Sequence, residues 1–138
     1  MVNQRAACHR FVFLRMQPLP GFSLRARLKS FGYAFRGLRL LFRTEHNAYL
    51  HLMAAAVAVG LGMVVKLDRY EWLWMVVAIV LVFAAELFNT AIEKLCDVVH
   101  PDYSEKIKVI KDLAAGAVLV CAVGAVVIGL FVFINHLL

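Results

Sequence analysis

Three stretches of this chain have almost no charge over lengths that match a bilayer. Residues 46–65 and 113–135 contain no acidic or basic side chain, taking histidine as neutral, and residues 72–93 form a third apolar run. Twenty helical residues rise about 30 Å, the thickness of the hydrocarbon core. A soluble domain of 138 residues is nearer 45–50% apolar. This one is 63% hydrophobic with a mean hydropathy of +0.79. The reading is an all-α membrane protein with three transmembrane helices in one domain, residues 24–138.

What surrounds the spans sets the orientation. Pro18, Pro20 and Gly21 break any helix in residues 1–23, which read as a disordered extension. Met16 is an alternative start that would make residues 1–15 an artefact of gene assignment. Phe11–Leu14 is too short for the apolar core of a signal peptide. Residues 24–43 then read as an amphipathic helix capped by Ser23, with Leu24, Leu28, Phe31, Phe35, Leu38 and Phe42 on one line and Arg25, Lys29, Arg36 and Arg43 on another. Such a helix suits the membrane interface.

Nine of the fifteen Lys and Arg precede residue 44, two lie in the 66–71 turn and four in 94–112. By the positive-inside rule the N-terminus and the long loop are cytoplasmic and the C-terminus is outside. The basic block lacks any recognised nucleic-acid motif, so an anionic leaflet is its expected partner and nucleic acid is not. Trp72 and Trp74 mark an interface. Residues 98–110 read as a polar loop leading into the next helix. Ala54, Ala58 and Gly62, and likewise Ala117, Cys121, Ala125 and Gly129, recur every fourth residue as ridges for close helix packing. Cys8, Cys96 and Cys121 have no metal or redox spacing, and no glycine-rich phosphate loop is present.

Against this background the second run ends in polar residues. Glu86, Thr90, Glu93 and Asp97 fall at i, i+4, i+7 and i+11, with Asn89 beside them, so one face of the helix carries three carboxylates. An acidic residue at the centre of a span costs about 2.5–3.5 kcal/mol on insertion scales. A helix–helix contact glued by hydrogen bonds is the plain alternative, but like charges need protons, cations or water between them. Glu86 lies about 21 Å and Glu93 about 31 Å along the span. With the orientation above, Glu45, Glu93, Asp97, Lys111 and Asp112 all gather at cytoplasmic helix ends. Position alone leaves Glu45 equally a solvated charge or a site residue.

Carboxylates, an amide and a lysine at that boundary suit a metal–polyphosphate, since Mg²⁺ takes one or two carboxylates plus phosphate oxygens. A deeper, desolvated carboxylate could accept the proton of an alcohol held in the bilayer. Together they describe phosphoryl transfer from a nucleotide to a lipid hydroxyl. A small proton-coupled transporter using Glu86 is the alternative, and it leaves the other charges without a task.

The segment Glu86-x-x-Asn89-Thr90-Ala91-Ile92-Glu93-x-x-x-Asp97, the later Lys111-Asp112-Leu-Ala-Ala-Gly-Ala-Val-Leu119, and Gly32-Tyr33-Ala-Phe-Arg-Gly37 with Glu45-His46-Asn47 and His51 resemble the prokaryotic diacylglycerol kinase and undecaprenol kinase family. The likeness spans about residues 24–135. It implies a small homotrimeric lipid kinase of the bacterial inner membrane, with its active site on the cytoplasmic face and a role in lipid metabolism. ATP would be the co-substrate and Mg²⁺ the cofactor. On the family's pattern Glu86 is the general base and contacts the lipid, Glu45 and Glu93 hold Mg²⁺, and Tyr33, Glu45, Asn89, Glu93, Asp97, Lys111 and Asp112 surround ATP. The family's N-terminal arginine falls in register on Ala26, so the flanking Arg27 is assigned that substrate contact. The Glu-His-Asn and Ala-Gly-Ala-Val-Leu segments resemble the undecaprenol kinase branch more closely. For His51 a role in that branch and a polar contact at a helix end both stand.

Overall fold

A computed structural model describes residues 23–137, and the expectations for the extreme N-terminus, including Met16 and Cys8, lie outside the described residues. The described chain is four helices: α1 (Leu24–Thr44), α2 (His46–Val65), α3 (Arg69–Val99) and α4 (Glu105–Leu137). The last three are long and apolar enough to cross a membrane.

Local chemistry sets each boundary. Ser23 Oγ accepts from Ala26 N–H and starts α1 as expected. One extended residue, Glu45, then ends α1 and precedes α2, its N–H donating to Leu41 O at 2.9 Å. Lys66 closes α2 in the left-handed conformation (φ 58°), which lets Leu67 N–H reach Gly62 O at 3.1 Å. Asp68 opens α3 through a capping box: its side chain accepts from Tyr70 and Glu71 N–H, and Glu71 Oε2 accepts from Asp68 N–H at 2.8 Å.

Two helices are longer than the apolar runs predict. α3 extends past residue 93 to Val99, and α4 begins at Glu105 rather than 113, so the expected 98–110 loop shrinks to His100–Ser104. Pro101 explains the break, because it disfavours helical geometry at the residue before it and has no N–H to donate. Glu105, Lys106 and Lys108 are polar yet good helix formers, so polarity there was a poor sign of a loop. Lys108 N–H donates to Ser104 O at 2.9 Å and starts the helix.

α3 and α4 form the principal pair. They run antiparallel and are clasped at both ends: Lys111 Nζ lies 2.6 Å from Asp97 Oδ1, and His136 Nε2 lies 3.0 Å from Glu71 Oε1. α2 packs mainly on α3, and Leu67, Met75 and Val132 form a small core with Ala58, Trp72 and Phe133 around it. α1 is fastened by its last turn, where Leu41 is fully buried and the Phe42 ring lies 6.0 Å from both Tyr49 and Phe83. Of the expected small-residue ridge on α4, Cys121, Ala125 and Gly129 are half-buried, and only its first member departs from expectation. Ala117 is exposed, whereas Ala114 and Val118, one turn apart, are buried.

Gly62 is where α2 is approached most closely. A Cβ there would meet Leu67 Cδ1 at 2.9 Å, Met75 Cε at 3.1 Å and Trp72 Cη2 at 3.3 Å. Gly62→Val is therefore expected to destabilise the protein by about 1–3 kcal/mol. Gly62→Ala, met first by the flexible ends of Leu67 and Met75, should cost much less. Thermal unfolding in detergent micelles measures both.

Candidate functional site

The polar stripe on α3 is graded. Glu86 (2% exposed), Thr90 and Asn89 are buried, Glu93 is half-buried and Asp97 is exposed. The helical repeat puts them on one face, and the length of α3 carries that face from the interior of the bundle to its end. Asn89 Nδ2 donates to Glu93 Oε1 at 3.2 Å, which orients both side chains. Asn89 Oδ1, Thr90 Oγ1 and Glu86 Oε1 are buried without a hydrogen-bond partner. Buried acceptors of this kind cost about 1–3 kcal/mol each when left unmet.

Among the described residues, Glu86 makes one ion-pair contact. His51 Nε2 on α2 stands 3.1 Å from Glu86 Oε1. That is ion-pair distance, but the direction misses hydrogen-bond alignment, so the oxygen stays unsatisfied. Glu45 and Glu93 are both within electrostatic reach of Glu86. Lys111 reaches Asp97 directly and Glu93 electrostatically, which links the outer part of the site to the inner.

Two cavities meet at His51. A pocket of about 260 Å³ is lined by Asn47, His51, Glu86 and Asn89 on one side and by Val118 and Leu119 of α4 on the other. An apolar cleft of about 470 Å³ runs from His51 and Leu50 past Ala54, Val82 and Ala125 to Phe133. Leu50, His51 and Ala122 line both, so the apolar cleft and the pocket at Glu86 adjoin.

Of the residues that the sequence singles out, Glu86 and Asn89 line the pocket, Glu45 and Glu93 are within electrostatic reach of Glu86, and Asp97, farther along α3, pairs with Lys111. Asp112 is exposed near the start of α4, within electrostatic reach of Tyr103. Outside the spans, the Tyr103 hydroxyl donates to Glu105, and that bond raises the phenol above its ordinary pKa. Tyr33 and Arg27 are not gathered in. They stand about 18 Å and 27 Å along α1 from Glu45, and Tyr33 is exposed with the Arg36 guanidinium 4.6 Å from its ring centroid. His51 is the site residue whose meaning the sequence left open, because its partner lies on a different helix.

Fold and site define a small polytopic membrane protein with a buried glutamate in a pocket between its helices. Residues 32–133 match the family described as prokaryotic diacylglycerol kinase. Over 109 residues the chain is 40% identical to the undecaprenol kinase of Bacillus subtilis (strain 168), covering 79% of this chain and 89% of that protein. It is 35% identical over 103 residues to a diacylglycerol kinase of Synechocystis, covering 74% of this chain and 59% of the other. With the diacylglycerol kinase of Escherichia coli (strain K12) it shares 27% identity over 109 residues, covering 79% of this chain and 89% of that enzyme. The chain belongs to the prokaryotic diacylglycerol kinase family, and it is an ATP-dependent lipid kinase. The transporter alternative is thereby set aside. The family match begins at Gly32, so Arg27 precedes it.

The Asp97–Lys111 pair is half open to solvent, with side chains 53% and 36% exposed. Pairs of that kind contribute about 0–1 kcal/mol. Lys111→Met is accordingly expected to leave the thermal unfolding midpoint nearly unchanged, as differential scanning fluorimetry in micelles would record.

Proposed function

We propose that this enzyme transfers the γ-phosphoryl group of Mg-ATP to undecaprenol at the cytoplasmic face of the inner membrane, with Glu86 as general base. The observation that carries this reading is the buried, unpartnered Glu86 Oε1 in a pocket that adjoins an apolar cleft at Leu50, His51 and Ala122. A lipid tail lying along the cleft brings its alcohol to Glu86, and the hydroxyl supplies the donor that this oxygen lacks.

Glu45 and Glu93 are the residues to hold Mg²⁺. Among the described residues no group of three or more His, Cys, Asp or Glu forms a metal cluster. Two carboxylates suit an ion that arrives with its nucleotide, because Mg²⁺ completes its shell with phosphate oxygens and water. Bound there, Mg²⁺ would neutralise phosphate charge. Glu93 is held for that task by Asn89. Lys111, fixed by Asp97, adds a positive charge beside the phosphates, and Asp112 and Tyr33 complete the nucleotide contacts, with Arg27 as a further contact to the lipid. Since phosphoryl transfer depends chiefly on position and charge neutralisation, these residues are sufficient parts for it.

The distance of Tyr33 and Arg27 from Glu45 along α1 supports the homotrimer implied by the resemblance, in which a neighbouring protomer could supply such residues. The basic N-terminal block supports a cytoplasmic N-terminus and an external C-terminus, with α1 on the inner surface. Undecaprenol is favoured over diacylglycerol because the Bacillus relative is 40% identical to the chain, against 35% and 27% for the two diacylglycerol kinases.

Purified enzyme in mixed micelles, offered undecaprenol and diacylglycerol in parallel, should phosphorylate undecaprenol with the higher kcat/KM. Glu86→Gln should lower turnover by about 10²–10⁴-fold, the range of general-base contributions, while ATP binding and elution volume persist. A clear preference for diacylglycerol would reassign the lipid, and an active Glu86→Gln would remove the base. Glu45→Gln and Glu93→Gln are expected to raise the Mg²⁺ concentration that gives half-maximal rate. An unchanged metal titration would count against both as ligands.

A further inference from the structure

Glu86 needs a fixed orientation, and few groups can give it one. The residues that act on it electrostatically are His51, Glu45 and Glu93. The two carboxylates repel it, and Asn89 Nδ2 is committed to Glu93. On the α4 side the pocket offers only Ala115, Val118, Leu119 and Ala122. Of the three residues that act on Glu86 electrostatically, His51 alone can donate a proton to the carboxylate, while Asn47 lines the same pocket with no recorded contact to Glu86. Its Nε2 is 3.1 Å from Oε1, and it sits where cleft and pocket join.

We propose that His51 is a positioning residue for phosphoryl transfer, its Nε2–H setting the orientation of the Glu86 carboxylate at the mouth of the apolar cleft. The inference rests on the reading of Glu86 as the base. In the transfer, the lipid oxygen bonds to the γ-phosphorus as the bond from that phosphorus to the β–γ bridging oxygen breaks. The hydroxyl proton passes to Glu86 and ADP departs. His51 keeps its own proton throughout, and a small rotation that aligns Nε2–H with Oε1 is the closing movement expected when substrate fills the pocket.

A purely structural histidine would affect folding and leave turnover per folded molecule alone. The test uses the full chain in mixed micelles with Mg-ATP and undecaprenol. His51→Ala should lower kcat by about 100-fold, the cost of a misplaced catalytic group, with the KM for Mg-ATP nearly unchanged. Added imidazole should restore part of the activity of His51→Ala and none to Glu86→Gln. His51→Gln, which retains an N–H donor, should keep more turnover than His51→Leu, which does not. That pair decides the question if His51→Ala fails to fold. Near-normal kcat in His51→Ala, or equal losses in the Gln and Leu variants with no imidazole rescue, would overturn the proposal. Active His51 variants beside an inactive Glu86→Gln would defeat this inference alone, whereas an active Glu86→Gln would defeat the base assignment itself.

Discussion

Burying the Glu86 carboxylate is the constraint on which the rest of the bundle turns. A carboxylate 2% exposed among apolar helices costs several kcal/mol unless something compensates it, and its one ion-pair contact among the described residues is the imperfectly aligned His51. Packing alone would be better served by leucine at that position. The helices that hold the carboxylate are correspondingly well fixed. α3 begins in a capping box, and α3 and α4 are tied by Glu71–His136 at one end and Asp97–Lys111 at the other. Neither tie is worth much in energy, but each fixes the register of the α3–α4 pair against sliding, and with it the pocket between them.

The lengths of α3 and α4 follow from the same constraint. At 31 and 33 residues they are about 46 Å and 50 Å long, well beyond the hydrocarbon thickness. The extra turns carry Glu93, Asp97, Lys111 and Asp112 toward water while Glu86 stays in the apolar zone. A charged nucleotide and a greasy alcohol have no common solvent. A single helical face that passes from buried to exposed lets them meet across a short distance, which is what phosphoryl transfer between them requires.

Much of this was legible in the sequence, for definite physical reasons. Uninterrupted apolar runs identify spans because the bilayer tolerates little else, and the 3.6-residue repeat put Glu86, Thr90, Glu93 and Asp97 on one line before any coordinates were needed. Helix ends were less legible. Glu105–Lys108 is polar and helical at once, and only the proline at 101 marks where the chain breaks. Where the packed line of α4 begins was not legible either. Small residues occupy more than one line of that helix, and the choice of Ala114 over Ala117 is made by α3. His51 belongs to the same class, since a lone histidine near a helix start declares a partner only when another helix is laid beside it.

Preference between lipids has to arise away from the transferring atoms. In the proposed mechanism Glu86, Lys111 and the nucleotide groups would act on a hydroxyl and a phosphate that undecaprenol and diacylglycerol present alike, so they could not rank the two. What differs is the body of the molecule behind the hydroxyl, a single isoprenoid chain in one case and two ester-linked chains in the other. The cleft that would receive it is lined by Leu50, Ala54, Val82, Ala125 and Phe133, and among its lining residues only His51, at the mouth, has a side chain able to hydrogen-bond. Apolar walls discriminate weakly, by about 1–3 kcal/mol per methylene, and they do not reward ester oxygens. A cleft of this composition would favour the chain without esters only weakly, since the one donor at its mouth is open to either lipid. In this enzyme selectivity would be a property of the α2–α3–α4 cleft, separable from the chemistry at Glu86.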